Sequence, residues 1–198
     1  MVSVYDLKPR FQALLRPLCG GLAAAGVTAN HVTVTATILS VLYGLWIYAS
    51  GGSDLSLLLL PLFLFVRMAL NAIDGMLARE FGQKSDLGFY LNEVGDVISD
   101  TALYLPFAVL LDPLLVGAVI VLSVMTEFAG VLALGLKKER RYDGPFGKSD
   151  RAVAFGVLGY LLVFVQMSVH VQNGLLLVMA ALCAMTIYNR MRKGLKDV

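Results

Sequence analysis

Residues 55–79 read LSLLLLPLFLFVRMALNAIDGMLAR, an apolar run with Arg67, Asn71 and Asp74 set inside it. A stretch of this length reaches the roughly 20 residues that a helix needs to cross a hydrocarbon layer. Lipid offers no partner to a backbone N–H or C=O, so such a segment must satisfy its own and is read as a helix. Further apolar stretches occupy 32–50, 87–111, 113–136, 152–171 and 174–190, which with 55–78 makes six. The 198-residue chain is 58% hydrophobic and 15% charged, where a soluble domain carries roughly a quarter of its residues as charges. The expected fold is therefore an all-α polytopic membrane protein of six transmembrane helices, organised as a single domain over 1–198.

Short breaks separate the stretches. Gly51-Gly52-Ser53-Asp54, Asp112-Pro113 and Gln172-Asn173-Gly174 are expected as tight turns. Of the 16 Lys and Arg residues, 15 lie in the N-terminal segment, the 79–84 and 137–151 connections and the C-terminal tail. The sixteenth is Arg67. This one-sidedness places both termini and those two connections on the cytoplasmic face, as expected of a protein of the cell (inner) membrane. Residues 4–24 carry Leu7, Phe11, Leu14, Leu15 and Leu18 at helical spacing with Lys8, Arg10 and Arg16 elsewhere, which suggests an interfacial amphipathic helix. Pro9 and Pro17 oppose a regular helix there. The first thirty residues lack the short apolar core and cleavage site of a removable signal peptide. Cys19 and Cys183 are far apart and show no ligand spacing, so both are read as free thiols. A formal charge of +2 gives no reason to expect a nucleic-acid partner.

Charges inside a span are costly and are functional candidates by default. At 100° per residue, Arg67, Asn71 and Asp74 share one helix face. In the third stretch Glu93, Asp96 and Asp100 do the same, with Asn92 and Ser99 at the edge. A short connection makes these two helices antiparallel neighbours, so the polar stripes can converge. Four carboxylates cannot stay ionised together at low dielectric without cations. Oxygen-only ligands suit Mg²⁺ or Mn²⁺, and a carboxylate-held divalent pair can clamp the attacking and leaving oxygens of a phosphoryl displacement.

The pattern Asp74-Gly75-x-x-Ala78-Arg79, eight residues, Gly88, three residues, Asn92, three residues, Asp96 resembles the signature of the CDP-alcohol phosphotransferases. In that family the signature is Asp-x-x-Asp-Gly-x-x-Ala-Arg followed by Gly-x-x-x-Asp-x-x-x-Asp. The resemblance implies transfer of a substituted phosphate from a CDP-linked donor, with CDP-diacylglycerol favoured, to an alcohol, releasing CMP. It makes Asp74 a metal ligand and Asp96 both a ligand and the general base. Gly75, Ala78, Arg79, Gly88 and Asn71 would form the nucleotide site, and one or two Mg²⁺ or Mn²⁺ ions would be the cofactor. The family commonly forms homodimers. Here its first and third aspartates are Asn71 and Asn92. Amide oxygens can coordinate a hard cation but bring no charge, and Glu93 and Asp100 are expected to supply the missing charge, either as ligands or as groups that hold the ligands.

Other residues have two readings each. Arg67 would either neutralise Asp74 or contact substrate. Glu127 would pair with Arg67 or His31, or touch substrate. Lys148, Ser149 and Arg151, set among glycines before the fifth stretch, suit a phosphate or lipid head group, while the same charges also serve topology. Asn30 and Thr33 would cap the first span or, by the resemblance, line the site. His31 is read as interfacial, His170 is assigned no chemistry, and the basic tail Arg190–Lys196 is read as a topology and lipid-attraction signal. Two other functional classes stay open. One is a family member that binds nucleotide or lipid without turnover. The other is an ion transporter, which should show paired interrupted helices in related halves.

Overall fold

A computed structural model describes the backbone of residues 4–196 and the side chains of residues 11–196. The expectations for Leu7, Lys8 and Arg10 therefore fall outside the described side chains. The chain runs through α1 (Val4–Ala24), α2 (Ala29–Ala49), α3 (Asp54–Leu58), α4 (Leu60–Glu80) and α5 (Asp86–Tyr104), then a 3-10 turn (Leu105–Val109). It continues through α6 (Pro113–Gly135), α7 (Lys148–Phe164) and α8 (Val169–Lys196), and among the described residues there is no strand.

Four of these helices, α2, α4, α6 and α8, are long and apolar enough to cross a membrane. The other two expected spans fall short for identifiable reasons. α5 carries Asp86, Glu93, Asp96 and Asp100 within its 19 residues, and α7 is 17 residues long.

Boundaries follow local chemistry. The expected 55–78 helix is interrupted at Leu59 and restarts with Pro61 in the first turn of α4, where a missing N–H costs nothing. The Asp112-Pro113 break is capped: Asp112 Oδ1 accepts from the N–H groups of Leu114 and Leu115 at 3.0 Å, with Pro113 as first helical residue. The Gly51-Gly52 turn uses positive φ at both residues, +61° and +71°, a region open to glycine without strain. One expected turn is corrected. Gln172-Asn173-Gly174 lies inside α8, and the chain instead reverses at 165–168, where Val165 takes extended backbone. Ser168 Oγ receives the Val171 N–H at 3.4 Å and Gln172 Nε2 donates to the Met167 carbonyl at 3.2 Å. The polar residues thus stabilise the start of α8 and do not break it.

The chain divides into two compact units. The first comprises residues up to Val41 with Phe65–Ser99. Its core gathers Cys19, Ala29, Val32, Ile73, Met76 and Leu77, with Leu15, Leu22 and Leu70 packed against it. α1 continues through Pro9 and Pro17. It turns Leu15 and Cys19 inward and leaves Leu14 and Leu18 exposed, and Arg16 meets Glu80 at 2.9 Å.

The second unit comprises Leu42–Leu64 and the chain from Asp100 onward. Its core includes Ile47, Leu60, Tyr104, Phe107, Val119, Phe155 and Leu176. The Tyr104 and Phe155 rings stack at 3.9 Å between centroids. A Cβ at Gly44 would collide with the Ala102 carbonyl, so only glycine lets these two backbones come so close. Both cysteines are buried free thiols.

Candidate active site

The first unit holds the signature residues, and three helices position them. Arg67, Asn71, Asp74 and Gly75 lie on α4, while Gly88, Asn92, Glu93 and Asp96 lie on α5. The N-terminal half of α2 faces them. Gly88 sits against Asn30 (a Cβ there would come within 2.8 Å of Asn30 Oδ1), and Gly95 sits against α2 in the same way, where a Cβ would lie 2.7 Å from Thr37 Oγ1 and 3.8 Å from Thr33 Cγ2. Asn30 is thus seven residues before Thr37, as Gly88 is before Gly95, so α2 and α5 run parallel with a glycine opposing a polar side chain every second turn.

Thr33 and Arg67 each reach one of the signature carboxylates. Asp74 is 5% exposed, and its Oδ2 accepts from the Thr33 hydroxyl at 2.8 Å. That hydroxyl also lies 3.1 Å from the Ala29 carbonyl. Asp96 faces Arg67, whose Nη2 stands 3.7 Å from Asp96 Oδ1 and 3.4 Å from its carbonyl oxygen. Arg67 itself is 2% exposed. Stepping along the two antiparallel helices from that contact toward the 81–85 connection brings Asn71 level with Asn92, then Gly75 level with Gly88. Helical stepping from the observed charge pair thus sets an amide pair and then a glycine pair in order toward that connection. Arg79 is exposed and folds its guanidinium back over Gly75, where a Cβ would lie 2.9 Å from Nη2. Ala78 packs beside the core of this unit.

The donor set decides what cation this site suits. Among the described residues no group of three or more His, Cys, Asp or Glu side chains is gathered to hold a metal. Two of the four signature oxygens are amides, which accounts for that. Asp74, Asp96 and the amide oxygens of Asn71 and Asn92 are hard ligands of low total charge, and they fit a divalent ion of the Mg²⁺ or Mn²⁺ type. Asn71 Nδ2 is buried without a hydrogen-bond partner, a costly state. A phosphate oxygen would satisfy it, and turning the amide over would present its oxygen instead. Glu93 is half-buried on α5 beside Asn92.

Several expected site residues are engaged elsewhere. Asp100, expected as a ligand, belongs to the second unit and accepts from Arg151 Nη2 at 3.0 Å. Arg151 is 1% exposed. Its other bonds go to Glu127 Oε1 at 2.8 Å, Thr126 Oγ1 at 2.9 Å and the Phe146 carbonyl at 3.4 Å, so its donors point into the protein and not toward a head group. Glu127 pairs with neither Arg67 nor His31. Its partners are Arg151, Arg140 at 2.8 Å and Arg190 at 3.4 Å. Arg190, read as part of a tail, is buried and also donates to the Thr126 carbonyl. Lys148 is half-buried and Ser149 exposed at the start of α7, where Asp150 Oδ2 already takes the Gly147 N–H at 2.9 Å. His31 lies at the exposed start of α2, its Nδ1 accepting from Thr28 N–H at 3.3 Å. Outside the spans, hydrogen bonds from Lys193 and Arg141 hold the Asp143 carboxyl below the usual carboxylate range, against the opposing effect of burial.

Fold and site together define a protein that is all-helical among the described residues, with four apolar helices of membrane-spanning length and a polar signature shared by α4 and α5. The family model for CDP-alcohol phosphatidyltransferase matches residues 26–188. Inner membrane protein YnbA of Escherichia coli (strain K12) is 46% identical over 196 residues, 98% of this chain and 97% of that protein. An uncharacterised protein of Aquifex aeolicus (strain VF5) is 32% identical over 104 residues, 52% of this chain and 49% of its own length. The fold is shared with Mycobacterium tuberculosis phosphatidylinositol phosphate synthase (PgsA1) at 19% identity. The crystal structure with CDP-DAG bound gives a TM-score of 0.73 over 90% of this chain and 92% of that one. The structure with manganese and citrate gives 0.75 over 90% and 88%. The chain belongs to the CDP-alcohol phosphatidyltransferase family.

Proposed function

We propose that the protein transfers a phosphatidyl group from CDP-diacylglycerol to an alcohol and releases CMP, as a step of phospholipid biosynthesis. The observation that carries the reading is that both remaining signature aspartates lie in one unit, Asp74 bonded to the Thr33 hydroxyl and Asp96 facing the Arg67 guanidinium. Residues 26–188 of the family match draw on both units, which supports one catalytic domain. The CDP-DAG in the related PgsA1 structure supports the donor, and the manganese in the other supports a divalent ion.

In this reading Asp96 takes the proton of the acceptor hydroxyl as its oxygen attacks the phosphorus next to the diacylglycerol. The new P–O bond forms as the bond to the bridging pyrophosphate oxygen breaks, and CMP leaves with that oxygen. Asp74, Asn71, Asn92 and Glu93 would hold Mg²⁺ or Mn²⁺, which when bound neutralises pyrophosphate charge and polarises the reacting phosphorus. Thr33 fixes the Asp74 carboxylate, and Arg67 fixes Asp96. Arg79 contributes positive charge for the pyrophosphate, Gly75 and Gly88 leave room for the nucleotide, and Asn30 lines the site beside Gly88. Positioning and electrostatic stabilisation supply the rate.

Six spans remain the proposed topology. α5 with its 3-10 extension covers 86–109, and the 17 residues of α7 reach the short end of the spanning range. The exposed Leu14 and Leu18 of α1 would rest in the cytoplasmic interface. The distribution of Lys and Arg supports a site opening to the cytoplasm, and the name of the Escherichia coli relative supports the inner membrane. A second copy of the chain is the expected protein partner.

The test is CMP release by detergent-purified protein given CDP-diacylglycerol, Mn²⁺ or Mg²⁺ and a panel of alcohols. Metal-dependent release with one alcohol, lost in Asp96→Asn, is expected. No release under any combination, from protein that still binds CDP, would favour the reading as a non-catalytic binding protein.

A further inference from the structure

Asp96 meets a cation that belongs to the chain. Arg67 is 2% exposed, and its Nη2 sits 3.7 Å from Asp96 Oδ1 and 3.4 Å from Asp96 O. A guanidinium is always protonated, so this is a permanent positive charge at low dielectric. It stands on the same α4 face as Asn71 and Asp74. The family signature has acids at four positions, and this chain keeps two, Asp74 and Asp96. Arg67 offsets one of those, so the signature positions with Arg67 carry a single net negative charge, or two with Glu93.

A pair of divalent ions brings four positive charges, far beyond what these side chains balance where uncompensated charge is costly. One divalent ion brings two, which the net two negative charges of Asp74, Asp96 and Glu93 less Arg67 balance before any substrate is bound. We propose that Arg67 takes the electrostatic place of a second divalent cation at Asp96, so that the protein binds one Mg²⁺ or Mn²⁺ per chain. The two departures from the signature and Arg67 then form one coherent set: Asn71 and Asn92 remove ligand charge, and Arg67 supplies on the protein the cation that those acids would have held. Arg67 is a positioning residue for Asp96, and this inference rests on the proposed transferase reading.

The experiment counts Mn²⁺. Full-length protein in detergent is titrated with Mn²⁺ alone, with free ion read from its electron paramagnetic resonance signal. Wild type is expected to take up one ion per chain. Arg67→Met and Arg67→Gln remove the charge, Gln retaining a donor toward the Asp96 carbonyl, and either should bind that ion about tenfold tighter or more. Arg67→Lys keeps the charge and should stay within about threefold of wild type. A residue that only braced the helices would, when replaced, weaken Mn²⁺ binding or leave it unchanged. Two ions per wild-type chain, or neutral variants that bind no tighter, would overturn the inference while CMP release by wild type leaves the transferase reading intact. Wild type that takes up no Mn²⁺ also overturns it, and if that protein releases no CMP the transferase reading falls too.

Discussion

Replacing Glu127 by Gln should destabilise the second unit sharply without touching the proposed chemistry. Glu127 is 7% exposed and lies among three guanidinium groups. Arg151 and Arg140 reach it at 2.8 Å and Arg190 at 3.4 Å. The glutamine amide keeps one acceptor oxygen but removes the charge, while Asp100 stays bonded to Arg151 at 3.0 Å. Breaking a buried pair by removing one partner costs about 3–5 kcal/mol, because the abandoned charge stays desolvated. For a chain of this size about 2–4 °C accompany each kcal/mol, so the apparent Tm should fall by roughly 6–20 °C. Differential scanning fluorimetry of the detergent-purified protein reads this directly. Adding Arg140→Met to the Gln variant should recover part of the loss, since it removes one of the stranded charges, whereas Arg140→Met alone should destabilise wild type. A shift under about 2 °C for Glu127→Gln, or strict additivity in the double variant, would refute the view of this cluster as a charge-balanced brace.

Thr33→Val removes the hydroxyl that orients Asp74. A hydrogen bond to a charged group is worth about 1.5–3 kcal/mol, so kcat/KM for CMP release should fall about tenfold or more, and Tm should fall by roughly 3–12 °C because the Asp74 carboxylate is buried. Gly44→Ala forces a methyl group into the Ala102 carbonyl, and the overpacking should cost about 1–3 kcal/mol, seen as a lower Tm with the Mn²⁺ stoichiometry unchanged. Asp143 has a depressed pKa, so its bonds to Lys193 and Arg141 stabilise the fold above the ordinary carboxylate range, and that stabilisation is lost as pH falls through the depressed value. Asp143→Asn should therefore lower Tm at neutral pH by the equivalent of up to about 1 kcal/mol, and the gap to wild type should close below that range.

Much of the fold could be read from hydropathy because a membrane helix announces itself by length. α2, α4, α6 and α8 all lie on stretches that composition alone picks out. Ends were harder. Pro61 and Ser168 mark the starts of α4 and α8, and Gln172-Asn173-Gly174 makes no turn because polar residues near a helix start can cap it as readily as break it. For the site, residue spacing located Asp74 and Asp96, since a helical stripe is a local property. Stripe arithmetic fails for depth. Asp100 shares its helix face with Glu93 and Asp96 yet belongs to the other unit and bonds Arg151, because a 100° step says which way a side chain points and not which partner it meets. Thr33 on Asp74 spans 41 positions of chain, and Glu127 with Arg190 spans 63. Neither has a local signature, although an acid inside a span always implied a cation near it.

The central claim is that the acceptor oxygen becomes bonded to the phosphorus carried by CDP-diacylglycerol. The most direct measurement supplies an ¹⁸O-hydroxyl alcohol identified by the CMP-release panel and examines the lipid product and CMP by mass spectrometry. Attack at that phosphorus predicts one ¹⁸O retained in the phospholipid and none in CMP, with both products absent in Asp96→Asn. Label found in CMP, or CMP formed without any labelled phospholipid, would contradict the account.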